Sequence, residues 1–248
     1  MNKSDSAVSP VIAVMLMLVV TIIIAAVVSG FAGSLANANS AKSPTLSMDV
    51  KISNSGSYMG SGFFASVTGT SEPIKTKDLK LITQWKSASG DSGGNTTTGG
   101  IYNFDCYVGM GTNAEYTTSV APYGFGVGVN STYVQNPTKP FTVYGQQFGS
   151  YTLTTGTSMS AVPAPYTSGV AIGGNAGASY GYGIDTSSAY TYTAGTGWAD
   201  TYTDATMAVL GTKWNSLRAG DKVTVTVVHI PTGKTIFQKD VIVTEGSV

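Results

Sequence analysis

The N-terminal part of the chain is dominated by one long apolar stretch. No charged residue occurs in residues 6–41, and residues 8–31 are mostly Val, Ile, Leu, Met and Ala. Ser9 followed by Pro10 is a helix start signal, because Ser caps helix N-termini and Pro suits the first turn. The pattern predicts a hydrophobic helix within residues 7–36, beginning at Pro10. The run reaches the ~20 apolar residues of a transmembrane helix and exceeds the ~7–15 of a cleavable secretory signal.

After the helix, apolar and polar positions alternate as they do in β-strands. A polar hinge at residues 37–44 precedes the first of these strands. The clearest signal is a hairpin near the C-terminus, in which Val and Thr alternate before a Pro-Thr-Gly turn at residues 231–233. The predicted strands are 45–52, 62–68, 79–85, 223–227 and 235–244.

Residues 87–217 differ from the flanking strands because they are rich in Gly, Thr, Ser and Tyr. Short strands separated by turns are expected there, as an insertion in a smaller β-sandwich formed by the flanking strands. The predicted fold is therefore α+β, with a long N-terminal hydrophobic helix followed by an all-β, sandwich-like head domain at residues 45–248.

The second half of the predicted helix carries small residues in two adjacent rows at i, i+4 spacing. Such rows let the backbones of packed helices approach closely. One alternative is a plain single-pass anchor with incidental small residues, and another is a signal-peptidase site imitated by residues 36–38, Ala-Asn-Ala. The rows are Ala25, Ser29 and Gly33, and Ala26, Gly30 and Ser34.

Composition narrows the function classes. Only 10% of residues are charged, and 13 basic residues balance 13 acidic ones, so the charge gives no support for nucleic-acid binding. Abundant Gly (31) and Tyr (14) indicate an extracellular, β-rich surface. Cys106 is the single cysteine, which excludes an intrachain disulfide and is more typical of a small buried hydrophobe than of a reactive thiol.

Residues 5–14, Asp-Ser-Ala-Val-Ser-Pro-Val-Ile-Ala-Val, resemble the N-terminal signature of the archaeal type IV pilins, with its AVSPVIxV-type start. The resemblance implies a class III signal peptide, with a leader at residues 1–6 that a prepilin peptidase cuts between Ser6 and Ala7. Residues 219–229 also resemble the closing strand of these pilins. The leader has only one basic residue, Lys3, so orientation by positive charge is weakly encoded.

The resemblance further implies a function and a set of partners. The chain is expected to be a structural subunit of an archaeal type IV pilus, a helical extracellular filament for surface adhesion, and not an enzyme. Its partners would be other copies of itself, the prepilin peptidase, an assembly ATPase and a membrane platform protein, with a precursor inserted in the cytoplasmic membrane. The alternative is a membrane-anchored extracellular β-domain that binds sugars or surfaces. A secreted hydrolase is the weakest hypothesis.

Candidate chemistry is sparse. His229, the only histidine, has no visible nucleophile or orienting partner nearby. Asp185, Asp200 and Asp204 could join loop carbonyls around calcium, but their spacing matches no recognised calcium loop. Residues 124–128, Gly-Phe-Gly-Val-Gly, lack the helix and acidic residue of a dinucleotide site and indicate a flat strand or a turn. No catalytic, cofactor-binding or metal site is predicted.

Two N-glycosylation sequons lie in the predicted exported region, Asn95-Thr96-Thr97 and Asn130-Ser131-Thr132. Both occur among loop-like residues, where a glycan is readily accommodated. Sequons also arise by chance in Thr-rich chains. Asn95 and Asn130 are therefore candidate glycosylation sites.

Overall fold

The computed structural model describes the backbone of residues 10–40, 42–108, 115–130, 132, 134–166, 183–185, 187–193 and 204–247. Side chains are described within these ranges except at 10–13, 30–40, 105–108, 115–117 and 165–166. The chain divides into two compact units, Met1–Lys42 and Ser43–Val248. The first contains a long helix and the second a strand-rich domain of mainly antiparallel sheets, which confirms the α+β class.

The described residues form two α-helices and fifteen strands, joined by short 3-10 turns. The helices are α1 (Pro10–Ser40) and α2 (Ala205–Leu210). The strands are β1 (Leu46–Ser53), β2 (Gly62–Thr70), β3 (Ile74–Lys75), β4 (Leu79–Lys86), β5 (Ser92–Thr98), β6 (Phe104–Val108), β7 (Glu115–Ser119), β8 (Tyr123–Gly126), β9 (Thr152–Leu153), β10 (Thr157–Ala161), β11 (Pro165–Tyr166), β12 (Gly183–Asp185), β13 (Tyr192–Thr193), β14 (Lys222–His229) and β15 (Lys234–Ile242).

Helix α1 begins at Pro10, as the Ser-Pro signal predicts. After Pro10 the next proline is Pro44, so no proline interrupts the helical pattern. The helix continues past the predicted end at residue 36 to Ser40, and it includes residues 37–40 of the predicted hinge. Asn and Ser have low helix propensity, but they stop a helix less effectively than proline does.

Two four-stranded sheets carry the core of the second unit. Their strand orders are β1-β2-β10-β8 and β15-β14-β4-β5. Buried and exposed residues alternate along β1, so Met48 and Val50 face inward while Asp49 faces solvent. Strand β14 alternates in the same way, with Val223 and Val225 buried. Because the inward residues of both sheets belong to one hydrophobic cluster, the unit is a β-sandwich.

The two sheets meet along one side, where β1 lies beside β15. The Asn54 N–H donates to Thr244 O at 3.1 Å, and the Thr244 N–H donates to Ile52 O at 2.9 Å. Nearby, Lys239 Nζ lies 3.8 Å from an Asp49 carboxylate oxygen. An ion pair between such exposed side chains contributes little, so the backbone hydrogen bonds hold this side together.

The C-terminal hairpin forms as predicted. Strand β14 pairs antiparallel with β15 on one side and with β4 on the other. The turn is a 3-10 segment, Ile230–Thr232, followed by Gly233 at a φ of 65°. That left-handed backbone conformation favours glycine, which has no Cβ to clash.

The segment 87–217 is not set apart from the sandwich. Strand β5 completes one sheet beside β4, and β10 and β8 complete the other beside β2. Strands from this segment therefore extend both sheets beyond the flanking strands. These strands are short and polar, and β10 pairs with a partner far away in the sequence, so alternation along the chain does not reveal their pairing.

Helix α2 is buried throughout and contacts strands of both sheets. The carbonyls of its last turn have no partner within the helix, and side chains of β4 supply the donors. Thr83 Oγ1 donates to Val209 O, and Trp85 Nε1 donates to Leu210 O. The buried end of this helix therefore keeps its backbone groups paired.

Thr83 offers a test of this arrangement, because its hydroxyl donates to Val209 O and accepts from the Asn95 N–H. Thr83→Val keeps the side-chain volume but leaves both backbone groups without that partner. We expect the free energy of unfolding to fall by about 1–3 kcal/mol. Thr96→Val, on the exposed face of β5, is the matched control and should change it by less than ~0.5 kcal/mol. Urea unfolding of residues 43–248 measures both; equal effects would contradict the role of Thr83.

Candidate assembly helix and polar sites of the head

Helix α1 presents apolar side chains on every side. All residues in 14–29 are exposed, and the large apolar ones range from 44% exposed at Val20 to 72% at Met17. At ~25 cal/mol per Å² of apolar area, leaving this surface in water costs on the order of tens of kcal/mol. A typical surface helix needs an apolar neighbour along one stripe only, whereas α1 needs apolar surroundings around its whole circumference.

Thr21 is the one polar side chain within residues 14–28. Its Oγ1 lies 2.9 Å from Met17 O and 2.9 Å from Leu18 O, so the hydroxyl bonds to carbonyls of its own helix. This local bond satisfies the hydroxyl without water. Thr21 therefore does not prevent this stretch from lying in apolar surroundings.

The two predicted rows of small residues lie on the continuous helical backbone of α1. In the first half of the rows, Ala25, Ala26 and Ser29 are all exposed. The remaining members, Gly30, Gly33 and Ser34, are described by their backbone alone. Within the described part of the chain, no helix is long and apolar enough to span a membrane.

Comparison with known protein families gives a match for the region that contains α1. Residues 6–48 match the family described as archaeal type IV pilin, N-terminal. Residues 6–48 are thus similar to the N-terminal region of the archaeal type IV pilins. The matched residues include all of α1 and end within β1 of the head. The predicted cleavage position between Ser6 and Ala7 lies outside the described residues. No curated protein and no solved structure matches the chain.

Inside the head, Asp204 is a fully buried carboxyl that caps the N-terminus of α2. Its Oδ1 accepts from the Met207 N–H at 2.7 Å. Its Oδ2 accepts from the Ala164 N–H at 3.2 Å and from the Tyr192 hydroxyl at 2.8 Å. Burial raises the pKa of Asp204 to about 6, although these hydrogen bonds act to lower it. The carboxyl thus joins three segments of the head.

Two of the three aspartates considered for calcium, Asp185 and Asp204, make hydrogen bonds within the head. Asp185 Oδ1 accepts from the N–H and hydroxyl of Ser187, each at 2.7 Å, and these bonds hold the pKa of Asp185 below its usual value. Both oxygens of Asp204 are used in its buried contacts, and Asp200 lies outside the described residues. Among the residues that are described, no three His, Cys, Asp or Glu side chains are grouped to hold a metal ion.

His229 lies at the end of β14 and belongs to a short chain of polar contacts. Its Nδ1 lies 2.9 Å from Thr232 Oγ1, which in turn lies 3.2 Å from Ser43 Oγ. These contacts connect the hairpin turn to the first residue of the second unit. Cys106 lies in β6 opposite Thr117, and its side chain is outside the described set.

The glycine-rich residues 124–128 comprise the last three residues of β8 and the turn that follows, as predicted. Gly124 packs against the Tyr151 ring, where a Cβ would come within 2.7 Å of a ring carbon. A glycine at this position is therefore needed for close packing against the ring.

The sequence analysis missed helix α2 and the buried role of Asp204. The available signal is an Asp three residues before Met207, at the start of a short apolar run, which is the spacing of an N-cap. With only the residues Ala205–Leu210, the helix is too short to show helical periodicity.

The raised pKa of Asp204 predicts that head stability depends on pH. Because the folded pKa of about 6 exceeds the unfolded value near 3.8, the folded state binds the proton more tightly. The free energy of unfolding should therefore fall as the pH rises from ~4 to ~6, by on the order of 3 kcal/mol from this group, and then level off.

Asp204→Asn removes this titration, so the difference between wild type and variant isolates it. Other carboxyls remain in both proteins, including Asp240, whose pKa the hydroxyl of Thr224 and the ammonium of Lys222 lower. Urea unfolding of residues 43–248 at several pH values measures the difference. A difference that does not change with pH would contradict the assignment.

Proposed function

We propose that this pilin is the structural subunit of a type IV pilus, a helical extracellular filament built from many copies of the chain. The observation that carries the proposal is the exposure of apolar side chains on every side of α1 within residues 14–29. Identical helices packed around one another supply apolar surroundings on all sides. Head-to-tail contacts that do not close into a ring extend such a bundle into a filament.

We also propose the route by which the helix reaches the filament. The precursor is inserted in the cytoplasmic membrane, and the prepilin peptidase cuts between Ser6 and Ala7 to remove residues 1–6. An assembly ATPase and a membrane platform protein then move α1 from lipid into the filament core. Support comes from the uncharged residues 6–41 and from the family match, which begins at residue 6. Such a transfer exchanges one apolar environment for another, so water need not contact the helix.

The head domain is proposed to form the outer surface of the filament and to adhere to surfaces. Its aromatic side chains support this role, because Tyr102 and Tyr144 are each 67% exposed. An aromatic ring with a hydroxyl combines apolar contact area with a hydrogen-bonding group, which suits adhesion. The pilin family is structural, and the role proposed for this chain is structural rather than enzymatic.

Ser29 tests the packing of α1. Ser29→Asp places a charge where the proposal has helices in contact, and burying an unpaired charge costs several kcal/mol. We expect the yield of filaments in the sheared cell-surface fraction to fall by ~100-fold or more, since each ~1.4 kcal/mol is a factor of ten. Electron microscopy and immunoblotting of that fraction measure the yield.

Ser29→Ala is the matched control, because it keeps a small residue at the same position and should assemble normally. The membrane fraction of each strain is blotted as well, to show that Ser29→Asp is still made and inserted. Normal filaments from Ser29→Asp would contradict a core of packed α1 helices. Wild-type protein found in membranes alone would favour the membrane-anchored binding domain.

A further inference from the structure

The two sequons of the head differ in which atom of the asparagine side-chain amide makes a hydrogen bond within the head. One partner of the Asn95 side chain is the carbonyl of Ala208, an acceptor, so the amide nitrogen must face it. Ala208 is fully buried, and α2 packs against β5 at this point. Nδ2 of Asn95 therefore faces α2, and a sugar attached to it would have to be accommodated beside this packed helix.

At Asn130 the amide oxygen, and not the amide nitrogen, makes the hydrogen bond. The partner is the backbone N–H of Thr132, a donor, so the amide oxygen must face it, at 3.0 Å. Nδ2 lies on the other side of the amide, and among the residues that the structure describes no hydrogen bond uses it. Asn130 and Thr132 are both exposed. The first and third residues of this sequon therefore lie on the surface of the head.

The loop that carries Asn130 is anchored to the sandwich. Gln135 Oε1 accepts from the Gly126 N–H at 2.8 Å, and Gln135 Nε2 donates to Gly126 O at 3.1 Å. The Gln135 side chain thus pairs with the edge of β8 as a further strand would. On either side of Asn130 in the sequence, Val127 is 61% exposed and Val134 is 90% exposed. A glycan in this loop would cover apolar surface while presenting hydroxyl groups to water.

We infer that Asn130, and not Asn95, carries an N-linked glycan. The inference rests on the proposed export of the head, but not on polymerisation. Nδ2 of Asn130 bonds to the anomeric carbon of a lipid-phosphate-linked oligosaccharide. The bond from that carbon to the phosphate oxygen breaks, its electron pair leaves with the phosphate, and one Nδ2 proton is released. The amide oxygen is unchanged, so its contact with the Thr132 N–H is kept.

Peptide mass mapping of the full chain, purified from the cells that naturally make it, tests the inference. The peptide containing Asn130 should carry added saccharide mass, and this mass should be lost in Asn130→Gln and in Thr132→Ala. Thr132→Ser keeps the hydroxyl of the sequon and is the matched control that should retain the mass. The peptide containing Asn95 should show its unmodified mass in every sample. All three substitutions are at exposed positions, and thermal unfolding checks that each variant is folded.

An unmodified Asn130, or saccharide on Asn95, would overturn the inference. The N-terminal residue of the same molecules distinguishes this outcome from a failure of the pilus proposal. A chain that begins at Ala7 with Asn130 unmodified would overturn the glycan alone. A chain with an intact leader and a modified Asn130 would support the glycan and contradict the proposed processing.

Discussion

The rest of the molecule depends on how the apolar surface of α1 is kept from water. Within the described residues, the buried hydrophobic cluster consists of head residues, whereas the large apolar side chains of α1 are exposed. In the proposed assembly, lipid and then other copies of the helix supply apolar surroundings for α1. The family match follows the same boundary between helix and head, because the matched residues 6–48 contain the helix and little of the head. The proposed assembly depends on the first unit, and the second unit contains the buried hydrophobic cluster.

The head meets the opposite requirement, which is to pair the polar groups that its folding buries. Helix α2 has an apolar surface that fills space between the two sheets, but its two ends bring unpaired backbone groups into the core. Asp204 supplies an acceptor at one end, and Thr83 and Trp85 supply donors at the other. At the edge of β8, the Gln135 side chain likewise makes hydrogen bonds with the backbone N–H and carbonyl of Gly126. Such pairing limits edge-to-edge contact between heads, which would compete with the helix-driven assembly proposed here.

The elements that could be predicted from the sequence are those that depend on local patterns. The Ser-Pro start of α1, the alternating strands β1, β2 and β4, and the β14–β15 hairpin were all found where expected. The pairing of β10 with β2 and the burial of α2 could not be predicted, because they depend on contacts between residues far apart in the chain. Asn95 shows the consequence for function: its sequence is that of a sequon, but only the fold brings the carbonyl of Ala208 to its amide nitrogen.

The most direct test of the central claim is N-terminal peptide mass spectrometry on filaments sheared from cells, with electron microscopy of the same fraction. The account predicts filaments whose subunits begin at Ala7 and retain the whole of α1. Such subunits would have lost the polar leader and kept the apolar surface that assembly buries. Subunits with an intact leader, or a chain recovered from membranes and absent from filaments, would contradict the account and favour a membrane-anchored binding domain.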